Sequence, residues 1–360
     1  MKTTIALALA SLFGAIPCLA NAETLTAVAR TAVESPDDAW NASRPKPKLT
    51  IRSSTNGSKW MNKRALNVSK TDDVVLKVNT AEGAEVRWYM IFADITRFYQ
   101  NANHPWEENA YGWTGLEKIA YHRVEIHALR GQREVRPLAE VDGLWDSVAT
   151  WFREAGVNEH LLDFYRAEAG TFWFQAEEWR DGALAARSPG IEDADDRGIS
   201  TRVIRIAVRS GDDYLGHLEA FFNVPGVFGS ILYQSKNHIG ADCADVLMAA
   251  WAKWKKRRPD KNYNVQMLVG KFKKRLKTVI DGGNSTTEVR WGEDVFPGDF
   301  IAVNYDDSKR YHHIGALYAD RNGNGLLDAD DIVLHAGPAP LHFSTLGSGV
   351  FDGDVVILKP

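Results

Sequence analysis

The chain has 360 residues, of which 44% are hydrophobic and 25% charged, and its formal net charge is −4. Those proportions fit a globular protein long enough for two or three domains. The slight acidity gives no sign of the basic surface that a nucleic-acid binder needs.

Residues 1–22 hold Lys2, an apolar run from Ile5 to about Cys18, and the small-residue sequence Ala20-Asn21-Ala22. This is the pattern of a secretory signal peptide cleaved ahead of Glu23. Pro17 argues against a lipid anchor on the adjacent Cys18. Cleavage removes Cys18 and leaves Cys243 as the one cysteine, so no internal disulfide is expected. No other apolar run is long enough to span a bilayer. The expected product is soluble, in the periplasm or secreted.

Residues 23–47, with Pro36, Pro45 and Pro47, read as a linker. Short strand patterns follow at Leu49–Arg52, Leu66–Ser69, Val74–Val78 and Val86–Phe92, separated by turn signals such as Asn56-Gly57 and Glu82-Gly83. They predict a β-rich, sandwich-like domain over 48–137. Residues 138–223 form a mixed region that can belong to the same N-terminal module. There, Leu144, Val148, Trp151 and Phe152 recur at helical spacing, and strands are expected at Thr171–Gln175, Arg202–Val208 and His217–Val224. The acidic run Glu192–Asp196 reads as an exposed loop rather than a calcium site.

Nine of the twelve tryptophans fall between Trp40 and Trp179. Trp88 and Trp173 sit inside strand patterns, which favours core packing over a sugar-stacking platform. Glu177 and Glu178 do not make a glycosidase pair, because neighbours on a strand point to opposite faces.

A C-terminal domain is expected over 224–360. After Gly240-Ala241-Asp242, residues Cys243, Leu247, Ala250 and Trp254 fall on one helical stripe, so Cys243 opens a helix. The positive end of the helix dipole suits a thiolate, and first-turn amides suit an oxyanion. Downstream, Phe300–Val303 and His313–Tyr318 read as antiparallel strands joined by Asp306-Asp307-Ser308-Lys309, followed by strands Ile332–His335 and Val355–Leu358. If these strands pack on the Cys243 helix, His313 can face the thiol and His335 can orient it from behind. His312 is the competing base, and Asp328 or Asp331 the competing third member.

These residues resemble the NlpC-type cell-wall cysteine peptidases over about 225–360. The family pattern is matched by Tyr233, Gly240, Asp242-Cys243, Gly298-Asp299-Phe300, His313-Ile314-Gly315 and His335-Ala336. The resemblance implies an α+β, papain-like NlpC-type domain that cleaves peptide bonds in peptidoglycan stems. It further implies Cys243 as nucleophile, His313 as general base and acid, His335 as orienting residue, and Tyr233 and Asp242 on the substrate side. Two departures stand out: Ala244 replaces the usual serine, and the segment between the histidine strands is longer than a tight hairpin. A transglutaminase-like acyl transferase and a non-catalytic envelope-binding or scaffold protein of the same fold are the alternatives.

That longer segment carries Asp320, Asn322, Asn324, Gly325, Asp328 and Asp331 at the 1, 3, 5, 6, 9 and 12 positions of a calcium-binding loop, with the Leu326 carbonyl at position seven. Asp331 stands where the usual ligand is glutamate, and no clear helices flank the loop. Calcium is the one cofactor the sequence suggests, in a structural role. Lys253–Lys277 is rich in lysine and arginine. It reads as the solvated face of two helices, or as a surface for anionic wall polymer or membrane.

Overall fold

A computed structural model of the protein describes residues 33–35, 37–97, 99–101, 118–306, 310–337 and 339–360. The expected signal peptide, Cys18, the start of the linker, Trp106, Trp113 and turn residues 307–309 lie outside the described residues. About 22% of the structure is helix and 36% strand, in several sheets, so the fold is α+β.

The N-terminal half is built on a seven-stranded sheet. Its strands run Val33–Glu34, Tyr121–Glu125, Glu85–Ala93, Gly170–Arg180, Ile204–Arg209 and Ala65–Ser69, with Ala183–Arg187 paired to Gly170–Arg180. A second sheet of Ile51–Thr55, Val74–Val78 and Glu134–Val135 shares a core with one face of the first, along with helix Val141–Glu154. Leu144, Val148 and Phe152 of that helix are buried at its apolar spacing. The large sheet crosses position 137, since Glu85–Ala93 pairs with Gly170–Arg180.

Part of the expected linker is ordered. Val33–Glu34 adds an edge strand against Tyr121–Glu125, and Asp37 caps helix Asp38–Ser43 by accepting from the Trp40 amide. The physical reason lies in two buried carboxylates, Glu177 and Glu192, which Arg44 reaches. His217–Val224 is not a strand. Asp213 caps a helix over Tyr214–Glu219 by accepting from the Gly216 amide, and this local cap overrides the apolar run.

The C-terminal half carries a second seven-stranded sheet, antiparallel throughout. Its order is Asn284–Ser285, Lys273–Asp281, Gly353–Lys359, Phe300–Asn304, His313–Ala319, Ile332–His335 and His342–Thr345. The basic stretch is therefore not two helices: after the Cys243–Trp254 helix and helix Val265–Lys271, residues Lys273–Asp281 are a strand held by Gly353–Lys359.

The Cys243–Trp254 helix is buried nearly all round, with Ala244, Val246, Leu247, Met248, Ala249, Ala250 and Ala252 inside. One continuous core joins these side chains to Ile91 and Trp173 of the first sheet and to Phe300, Ile314, Ala316 and Leu334 of the second. The helix is thus held from both halves of the chain. The outer face of the second sheet has its own core, including Val303, Leu317, Val333 and Phe351.

Candidate active site

Asp242 sets the start of the Cys243 helix. Its Oδ1 accepts from the Ala244 and Asp245 amides at 3.0 and 2.8 Å, which satisfies two of the donors a helix start leaves open. Asp242 is buried and serves as this cap rather than as an open substrate contact. Because it takes two first-turn amides, the Cys243 N–H is the first-turn donor that remains for an oxyanion.

Cys243 is half-buried, with the Ile314 and Ala244 amides near its sulfur. The ladder between the His313 and His335 strands stops at the Ala316–Leu334 pair, so the Ile314 amide is not tied into it. Burial pushes the Cys243 thiol well up, and the neighbouring Asp242 carboxylate adds to this; the two amides only partly offset it. The resting group is a neutral thiol, not the thiolate that the helix dipole alone suggests.

His313 immediately precedes Ile314 on the strand. Its cross-strand partner is Val303, and paired residues share a face, so the ring lies on the outer side of the sheet with Phe351, at 5.3 Å between centroids. The Ile314 side chain points the other way, into the core of the Cys243 helix. No hydrogen bond joins the sulfur to the His313 ring among the described residues. What the structure does bring together is the histidine pair: His313 Nε2 is 3.0 Å from His335 Nδ1. His335 Nε2 is in turn 2.8 Å from Ser344 Oγ.

Gly315 is what lets the pair close. A Cβ at that position would stand 2.7 Å from Val333, 2.9 Å from Phe351 and 3.0 Å from the His335 Cβ. The small residue two places after His313 is therefore a packing requirement of the site. Gly298, at φ +89°, turns the chain into Asp299, whose carboxylate pairs with Arg275 at 2.7 Å and accepts from the Phe296 amide. That motif ties the start of the Phe300 strand to the Lys273–Asp281 strand.

All three histidines here are held neutral. Burial, then His342, lowers His313 to about 4, and burial lowers His335 and His342 as well. His335 is 1% exposed. Ser344 escaped the sequence reading, because its strand, His342–Thr345, becomes visible only once His335 is seen to pair with His342.

The remaining candidates lie further out. His312 is outside the strand, stacked on Tyr305 at 5.9 Å and 3.8 Å from Asp306. Tyr305, raised to about 12 by burial and then by Cys243, donates its hydroxyl to the Val350 carbonyl. Tyr233 sits on a short helix, Leu232–Lys236, next to the Cys243 helix, with Arg197 over its ring at 5.6 Å. Neither Tyr233 nor His312 hydrogen-bonds to Cys243. Asp328 and Asp331 do not contact His313; they belong to the loop between the two histidine strands.

In that loop, Asp320 accepts from the Gly323 and Gly325 amides, and Asn322 and Asn324 accept from the Asn324 and Leu326 amides. Asn322 and Asn324 also reach Asp328 through their side-chain amides. Among the described residues, no three His, Cys, Asp or Glu side chains converge as a ligand group. No protein-family model matches the chain, and no curated protein or solved structure does.

Proposed function

We propose that the protein is an exported cysteine hydrolase, papain-like and of the NlpC type over 224–360, that cleaves amide bonds in peptidoglycan stem peptides. The observation that carries this reading is the Ser344–His335–His313 chain of hydrogen bonds, which ends one residue from Ile314 in the core of the Cys243 helix. In this reading the signal peptide places the enzyme in the periplasm or outside the cell, and the N-terminal half presents the wall substrate.

The chain of bonds sets the direction of proton flow. When Ser344 accepts from His335 Nε2–H, His335 Nδ1 accepts from His313 Nε2–H, and His313 Nδ1 keeps a free lone pair. That is the tautomer a base needs. In the proposed step both groups start neutral and the His313 ring turns from the outer side of the sheet toward the thiol, where Nδ1 takes the Cys243 proton as the sulfur attacks the scissile carbonyl. Hydrogen bonds of this kind are often open before substrate binds. The Cys243 N–H supports the developing oxyanion. His313 then gives the proton to the leaving amine, which departs as the C–N bond breaks and leaves a thioester. Water attacks that thioester and passes one proton to His313, which returns it to the departing sulfur as the acid and the free thiol are released. His335 is the positioning residue, and Ser344 holds its tautomer.

The test is mass spectrometry of purified peptidoglycan digested by the mature protein and by Cys243→Ala. New stem-peptide fragments that vanish in the variant support the proposal. Amine incorporation without hydrolysis points instead to a transglutaminase-like transferase. The neutral, buried thiol is the one observation that favours a non-catalytic binding protein, and Cys243 that resists iodoacetamide in the folded state would favour that alternative.

A further inference from the structure

The loop between the histidine strands contains a buried carboxylate with nothing to balance it. Asp331 is 0% exposed. Its Oδ2 accepts from Trp291 Nε1 at 2.8 Å and from the Asp328 amide at 2.9 Å, whereas its Oδ1 is buried without any partner. Burying an unpaired carboxylate oxygen is costly, and a neighbouring cation removes the cost. The charges that Asp331 feels come from Asp328 and Asp320, so its carboxylate sits with the other acids of the loop. Among the described residues, no lysine or arginine is paired with it.

We propose that residues 320–331 bind one calcium ion, with the free Oδ1 of Asp331 as the innermost ligand. The other donors, which the loop has to draw inward because its carboxylates do not converge as they stand, are oxygens throughout: carboxylates of Asp320 and Asp328, side-chain carbonyls of Asn322 and Asn324, and the Leu326 main-chain carbonyl. An all-oxygen set of this size suits calcium, whereas zinc prefers nitrogen and sulfur. The Leu326 carbonyl accepts no backbone hydrogen bond, because the neighbouring Gly325 carbonyl and Leu327 amide make the bridge to the 289–291 segment. Asp331 immediately precedes the Ile332–His335 strand, and the loop begins one residue after the His313–Ala319 strand. The ion therefore clamps the connection that sets the spacing of the two histidines. Its binding does not depend on the hydrolase reading.

The experiment is calcium titration of the mature, chelator-stripped protein by calorimetry, with melting temperature measured alongside. One ion should bind with a Kd of about 10⁻⁴ M, in the range of extracellular calcium modules. At calcium near 100 times that Kd, the melting temperature should rise by about 5 °C. Asp331→Asn keeps an acceptor for Trp291 and the Asp328 amide but removes the charge. It should bind no calcium, and should melt in chelator no lower than the wild type. Asp320→Asn, which preserves the loop's turns, should weaken binding at least tenfold. Absence of both heat and melting shift in the wild type would overturn the proposal, as would wild-type affinity in Asp331→Asn. Equal affinity for magnesium would overturn the choice of calcium.

Discussion

Two buried polar clusters in this molecule are built on opposite principles. In the first sheet, Glu177 is fully buried and paired with both Arg123 and Arg44, Gln175 links Arg123 to Glu192, and Trp179 donates to Glu177 at 2.9 Å. In the second, Cys243, His313 and His335 carry no ion pair, and each is held neutral. The first cluster spends its charges on one another and fixes the fold. The second keeps its proton-bearing groups uncharged, with the two histidines hydrogen-bonded to each other, which suits a proton that has to move.

That contrast is broken most sharply at Cys243. Cys243→Ala should lower peptidoglycan hydrolysis by about 10⁴-fold or more while changing stability by less than about 1 kcal/mol. Glu177→Ala should do the reverse, costing about 3 kcal/mol in urea denaturation because two buried guanidinium groups lose the carboxylate they share and keep only Glu34 and Glu192. Activity per folded molecule should be unchanged in that variant. His335→Ala should lower kcat by about 100-fold with KM nearly constant, and Ser344→Ala by about tenfold, as expected of groups that position a base rather than touch substrate. Equal rises in KM would instead place these residues in substrate binding.

The pH dependence sharpens the same comparison. His313 must be neutral to accept the thiol proton, and burial lowers it to about 4. The acid limb of kcat/KM should therefore fall near pH 4, not near the 6.5 of an ordinary imidazole. Stability should report a different group. Asp245, hydrogen-bonded to Ser230 at 2.7 Å, is pushed up to about 7 by burial, above its ordinary 3.8. A raised acid contributes stability that is fully present below about 3.8 and lost as pH rises through about 7. The depressed His313 has the opposite sign, with stability present above about 6.5 and lost as pH falls through about 4. Asp245→Asn should remove the first slope and leave the second, which denaturation at pH 4 to 8 would reveal.

Much of this was legible in the sequence. The strands Val74–Val78 and Ile332–His335 fall where their patterns place them, as does the helix opening at Cys243. These are elements where periodicity, turn residues and a capping aspartate agree. What could not be read was set by tertiary partners. Residues 33–47 look like linker until Arg44 meets Glu177, and His217–Val224 looks extended until Asp213 caps a helix. The role of Ser344 and the outward side of the His313 ring depend on strand register, which alternation alone leaves free by one residue. The unpaired Oδ1 of Asp331 is likewise invisible without the fold around it.

The most direct test is to measure product release from purified peptidoglycan and melting temperature side by side for the wild type and Cys243→Ala. Stem-peptide products are expected from the wild type and none from the variant, with melting temperatures within about 2 °C of each other. Products that persist in Cys243→Ala, or a wild type that releases none, would contradict it.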